Sequence, residues 1–224
     1  MKKSFMLLVV ACVIGGSHAL AQEKISYGIK AGVNVATYSF SDEEEYDDEL
    51  KKRPAFSFHI GGLVDVPIAP AFSLQGGLTL SGKGYRETWS GEDEFDGTYY
   101  EGSFRENIMV LEIPVNAVYK TGQFFFGAGP YVAYALSGKW KEKFEEDFGD
   151  GDVEKDEESG KVVFSGESAY RTRTDFGINL LAGYQLNTQL NISAGYGFGI
   201  KDIHPGPDWS GKNRVISLSV GYMF

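Results

Sequence analysis

The chain has 224 residues, with 31 acidic against 21 basic side chains and a net charge of −10. That length suits one domain, and a field of that sign without a Lys/Arg-rich stretch argues against nucleic acid as a partner. The mean hydropathy of −0.21 reads as soluble for every class but one, the membrane β-barrel, whose strands alternate apolar and polar residues and so average out.

Lys2 and Lys3 precede an apolar run from Phe5 to Gly16, and Ala19, Leu20 and Ala21 form an A-x-A site before Gln22. This is the pattern of a cleaved secretory signal peptide over residues 1–21. The run is too short for a membrane-spanning helix, and no later segment has 18 uninterrupted apolar residues. The single cysteine, Cys12, falls in the leader, so disulfides are excluded from residues 22–224. If these residues lie in a membrane, they must do so as a closed barrel.

Period-two alternation marks eight segments in chain order: 25–38, 55–67, 72–86, 107–119, 123–138, 170–186, 189–202 and 213–224. In the first, Ile25, Tyr27, Ile29, Ala31, Val33 and Val35 oppose Ser26, Gly28, Lys30, Gly32 and Asn34. In the seventh, Leu190, Ile192, Ala194, Tyr196, Phe198 and Ile200 oppose Asn191, Ser193, Gly195, Gly197, Gly199 and Lys201. Bulky residues on one face and small polar ones on the other suit a narrow barrel with its apolar face in lipid. A soluble lipocalin-like barrel with the apolar face inward is the competing reading.

Short and long connections alternate along the chain. The turns near 68–71, 120–123 and 187–188 are tight, whereas residues 39–54, 87–106, 139–169 and 203–212 form four long connections that hold most of the acidic residues. Short turns at the periplasmic end and long loops outside are the outer-membrane pattern. Aromatic girdles are expected at Tyr27, Phe72, Tyr119, Phe124, Tyr184, Tyr222 and Phe224 toward the turns. Toward the loops they are expected at Tyr38, Phe56, Tyr85, Trp89, Tyr134, Trp140 and Trp209. Pro114 and Pro130 fall inside strands, where a missing N–H predicts a bulge or displaced register.

Five stretches resemble the PorT-like outer-membrane β-barrel family of Bacteroidetes, a porin-family group. They are GIKAGVN (Gly28 to Asn34), LEIPV (Leu111 to Val115), GAGPYVAY (Gly127 to Tyr134), DFGINLLAGY (Asp175 to Tyr184) and the ending SLSVGYMF. The resemblance spans residues 25–224. It implies an all-β, eight-stranded antiparallel up-and-down transmembrane barrel, and it implies that Tyr222 and Phe224 are the signal read by the outer-membrane assembly machinery. It brings no catalytic residues.

The polar face carries Lys30, His59, Asp65, Lys83, Glu112, Arg173, Asp175 and Lys201. Charges of both signs in a narrow lumen must pair, because an isolated charge away from water costs several kcal/mol. The expectation is a salt-bridged plug centred on Glu112 and a lysine or arginine across the lumen; a thin conduit is the alternative. The acidic stretches are expected to be extended and solvated. Asp42, Glu43, Glu44 and Glu45, together with Asp150, Asp152 and Glu154, are candidates for weak Ca²⁺ or Mg²⁺ binding. Lys155 and Lys161 stand where an EF-hand needs Gly and Glu, so that template fails. No other metal, haem or phosphate motif is present, and no cofactor is expected.

Only His59 and His204 follow the leader, and no G-x-S-x-G motif accompanies them, so catalysis is not expected. The expectation is an integral barrel of a Gram-negative outer membrane with a closed polar lumen, structural or binding in role. Its partners would be membrane lipid and lipopolysaccharide, the assembly machinery and a protein at the surface loops. A narrow porin-like channel for small solutes is the alternative, and a soluble periplasmic carrier the third reading.

Overall fold

A computed structural model describes residues 24–40, 50–92, 97–148, 153–204 and 210–224. The leader, the acidic stretch at Asp42, Glu43, Glu44 and Glu45, the pair Asp150 and Asp152, and Trp209 lie outside the described residues. The strands are β1 (Ser26–Phe40), β2 (Leu50–Ala69), β3 (Phe72–Glu92), β4 (Tyr99–Thr121), β5 (Phe124–Asp147), β6 (Val153–Lys161), β7 (Thr174–Gln185), β8 (Leu190–Gly199) and β9 (Gly211–Met223).

Each strand except β6 pairs antiparallel with two ring neighbours. β1 joins β2 on one side and β9 on the other, while β4 pairs with β5 and β5 with β7. The strands β1, β2, β3, β4, β5, β7, β8 and β9 therefore close into a ring of eight with no free edge, the arrangement a bilayer demands. Gly122, at φ 58°, turns β4 into β5 in two residues, a conformation with positive φ that glycine adopts without steric cost.

Alternation sets which side each residue faces. The bulky apolar residues point out: Ile29 is 54% exposed, Phe58 53% and Leu218 59%. The opposite phase points in, with Asn34, His59, Asp65, Thr79, Ser81, Lys83, Asn116 and Asp175 all buried. A soluble carrier would show the reverse, so the apolar face outward decides between the two barrel readings.

Three expectations are corrected. First, much of the predicted long loops is strand. β3 runs to Glu92, β4 starts at Tyr99, and β5 reaches Asp147 before β6 returns along it to Lys161. These extensions raise a sheet on one side of the barrel mouth. Its continuity is local chemistry, because period two persists through the charged stretch as Trp140, Glu142, Phe144 and Glu146. On the outer face Lys141 and Lys143 bond Glu157 at 2.5 and 3.2 Å, and Lys155 bonds Glu145 at 2.6 Å.

Second, neither in-strand proline displaces the register. Pro114 faces Tyr131 and Pro130 faces Ile178 with the register unchanged on either side, although the β4–β5 ladder skips Val115 and Asn116 there; the register shifts fall instead at Met109/Val110, Pro54/His59 and Pro67/Ala69. The ladder accommodates each proline by omitting a local hydrogen bond.

Third, only the turn-end girdle forms as expected. Phe72 meets Tyr119 and Phe124 meets Tyr184, each with ring centroids 5.0 Å apart. At the other end Phe56 and Tyr134 face outward, but Tyr38 is buried in the lumen. Tyr85, Trp89 and Trp140 share the inner face of the raised sheet, in phase with the inward Glu106. Strand continuation carries them past the apolar band, on the inner side of the sheet.

Candidate functional site: a polar lumen in three tiers

Nearest the turns, Asp65 accepts from Ser73 Oγ at 2.9 Å and from Lys120 Nζ at 2.7 Å. Above it lies a cavity of about 260 Å³ whose walls include Lys30, Glu112, Asn116, Thr79 and Asn179. Asn116 Oδ1 and Thr79 Oγ1 are buried there without a hydrogen-bond partner among the described residues. Lys30 lines the same cavity as Glu112.

The middle tier closes the cavity from above. Lys83 Nζ lies 2.8 Å from Glu112 and 3.0 Å from Asp175 Oδ2. The same Asp175 oxygen accepts from Tyr131 OH at 3.1 Å and Asn213 Nδ2 at 2.8 Å. The Lys83 ammonium also sits 4.2 Å from the centre of the Tyr131 ring. One lysine thus joins β3, β4 and β7, and Asp175 extends the network to β5 and β9. Buried charges tolerate this site because they are paired and further hydrogen-bonded.

The upper tier is partly apolar. Ile108, Val110, Tyr131, Ala133, Ala135 and Val162 form one buried cluster. Val162 opens the connection between β6 and β7, which returns to the barrel mouth with Arg171. Arg171 bonds Glu106, whose carboxylate also accepts from Tyr38 OH at 3.0 Å. The guanidinium lies 4.8 Å from the centre of the Tyr38 ring. Nearby, His204 Nδ1 is 3.1 Å from Tyr170 O, and burial pushes the His204 imidazole down to about 4. Burial would raise the Asp202 carboxyl, but the amides of His204 and Gly211, donating at 2.9 and 3.0 Å, outweigh it and hold that carboxyl below its ordinary value.

Between cavity and plug, His59 Nδ1 lies 2.8 Å from Asn34 Oδ1 and Nε2 lies 2.9 Å from Ser219 Oγ. Asn34 Nδ2 donates to Ser81 Oγ and Gly82 O, both at 3.0 Å, which turns its oxygen toward the imidazole. His59 and Ser219 both pair with Gly32 on the strand between them. A Cβ on Gly32 would collide with the His59 ring and the Leu218 carbonyl, so glycine lets the imidazole cross β1. The connectivity is that of nucleophile, base and orienting group. Ser219 sits mid-ladder between Gly32 and Ser193, where its strand amides are committed to neighbours rather than turned toward the hydroxyl as oxyanion donors would be. The three side chains tie β1, β2 and β9 together at the lumen wall.

Of the sequence-predicted lumen residues, Lys30, His59, Asp65, Lys83, Glu112 and Asp175 face inward together. Arg173 does not. It precedes β7, donates to Ala135 O at 3.1 Å and packs against Phe164. The alternation that put it beside Asp175 ends where the strand does, and Arg171 takes the inward place. Lys201 lies past the end of β8 and donates to the Thr174 hydroxyl, away from the lumen network. Glu106 was legible as an inward residue by running the β4 alternation three steps beyond Glu112, whereas Arg171 carries no local signal. Glu154 is exposed on β6, and among the described residues no group of three His, Cys, Asp or Glu side chains is placed to hold a metal ion. Phe224 follows β9, 75% exposed and 5.4 Å from Tyr222 between ring centroids.

Ring closure, an apolar exterior and a polar interior define the class of integral β-barrel membrane proteins. Residues 20–204 match the outer membrane protein beta-barrel domain family, and the chain belongs to it. That membership places it in the outer membrane of a Gram-negative cell. No curated protein matches it by sequence. Among solved structures it is similar to the attachment invasion locus protein Ail of Yersinia pestis, at 14% identity and a TM-score of 0.43 over 90% of this chain and 100% of that one. It is also similar to neisserial surface protein A, at 15% identity and a TM-score of 0.35 over 90% and 98%. OprG of Pseudomonas aeruginosa follows at 13% and 0.29 over 89% and 94%.

Proposed function

We propose that this barrel keeps its lumen shut and acts through the sheet it raises above the membrane, as a structural or binding protein without catalysis. The observation that carries the reading is the double closure, Lys83 with Glu112 and Asp175 below Arg171 with Glu106 and Tyr38. Five matching sequence pieces support a place among PorT-like barrels. Tyr222 and Phe224 serve assembly, and residues 1–21 serve export. The raised sheet offers partners an inner face where Trp89, Phe104, Trp140 and Phe144 stand beside Glu142 and Glu146. Planar-bilayer recording tests the closure: the purified protein should give no unitary steps.

A narrow channel for small solutes is the second reading, favoured by the cavity of about 260 Å³ beneath the plug. Stable conductance steps in the unsubstituted protein would establish it and remove the first.

A further inference from the structure

Strand register on the outward face of the raised sheet brings four cations into one row. Arg53 pairs with Arg86, Arg86 with Arg105, and Arg105 with Lys141. All four are exposed. Like charges directly opposite one another in a sheet repel, and these run across four consecutive strands, over about 14 Å at the usual strand spacing. Lys141 leans on Glu157, but among the described residues Arg53, Arg86 and Arg105 have no carboxylate within 4 Å. Arg105 is held in place by its bonds to Asn107 Oδ1 and to Phe56 O, both at 3.3 Å; Phe56 lies in the register shift of β2.

The height of the row supplies the occupant. Fourteen positions separate Arg86 from Phe72 and Arg105 from Tyr119, both in the turn-end girdle. At about 3.3 Å per residue and a tilt of about 40°, that is roughly 35 Å, beyond the apolar band of about 25 Å and level with the head groups of the outer leaflet. Below the row, past Asn107 and Lys139, the outward residues turn apolar (Phe56, Phe58, Leu78, Leu136); on this side the cations stand where an aromatic girdle was expected.

We propose that Arg53, Arg86, Arg105 and Lys141 form a binding site for the phosphate groups of outer-leaflet lipopolysaccharide. Guanidinium forks suit phosphate oxygens, and a bound polyanion would relieve the mutual repulsion of the row. The proposal is independent of whether the lumen conducts, and its test reads no current.

The protein is folded into phosphatidylcholine vesicles containing either phosphorylated lipopolysaccharide or the same material stripped of phosphate, and its urea midpoint is followed by the heat-dependent gel shift. The expected result is a higher midpoint with the phosphorylated form, a gain that R53Q/R86Q loses for the most part and that shrinks with added salt. R53Q/R86Q breaks no described hydrogen bond, and its gel shift in plain phosphatidylcholine reports folding separately. K155Q, which removes one cation higher on the sheet, should retain the gain. Equal midpoints with intact and stripped lipopolysaccharide, or a full gain in folded R53Q/R86Q, would overturn the site.

Discussion

Lys83 and Asp175 stand on strands separated by two others in the ring, and their side chains meet at 3.0 Å across the lumen. The contact fixes the distance between opposite walls, and Lys83 holds Glu112 at the same time. Lys83→Met would leave the buried Asp175 and the half-buried Glu112 without this cation. The expected loss is about 3–5 kcal/mol, the usual cost of breaking a buried pair from one side, measured as a lower urea midpoint in lipid vesicles. The triple change K83M/E112L/D175L should recover most of it, since an apolar replacement leaves no orphaned charge. A K83M midpoint unchanged from the parent would show that the cluster bears no load.

Gly32 is the passage through which His59 reaches Ser219. Gly32→Ala puts a methyl against the His59 ring and the Leu218 carbonyl, and overpacking of this kind costs about 1–3 kcal/mol. Ser219→Ala removes only one partner of the imidazole and should cost about 1 kcal/mol. A G32A barrel as resistant to urea as the parent would mean that the imidazole has another route.

The proposed plug would make the lumen one-sided. With the leader and its Cys12 replaced, Asn116→Cys places a single thiol in the cavity wall. A small thiol reagent should label it from the turn side of oriented vesicles and not from the loop side. Adding Arg171→Ala removes the only cation paired with Glu106 among the described residues and should open labelling from the loop side. Equal labelling from both sides without that change would show that the upper tier leaks.

Acid should loosen the loop from β8 to β9 first. His204 falls to about 4 in the folded barrel against an ordinary value near 6.5. The unfolded chain therefore binds more protons between those values, and the stabilisation present above about pH 6.5 is lost as pH falls toward 4. The low Asp202 carboxyl adds in the same direction at still lower pH. Hydrogen exchange of the amides of Ile203 and Gly211 should quicken across that window, while the β7 amides stay protected. Exchange at Ile203 independent of pH, once the intrinsic rate is corrected, would count against the assignment.

The ring of eight strands was legible from the sequence because inward and outward sorting is a local, period-two property that each strand declares by itself. The same sorting assigned Lys30, His59, Asp65, Lys83, Glu112 and Asp175 to the interior. It failed at Arg173 and Lys201, which lie just outside the strands that carried the pattern. It also failed where charge density suggested loops, because Lys141, Lys143 and Lys155 find carboxylates across β5 and β6 only once the two strands are paired.

What the sequence determined by itself was therefore a closed antiparallel barrel, its two faces, its short-turn end and the sign of its surface charge. The tertiary structure decided which inward groups meet. Lys83 and Asp175 lie 92 positions apart, and their encounter depends on strand order, stagger and ring diameter. It also decided that Arg171 meets Glu106 at the mouth and that Arg53, Arg86, Arg105 and Lys141 align. Register between strands is a non-local quantity, set by turn lengths and by the register shifts at Pro54/His59 and Met109/Val110, and alternation within a strand fixes only its parity.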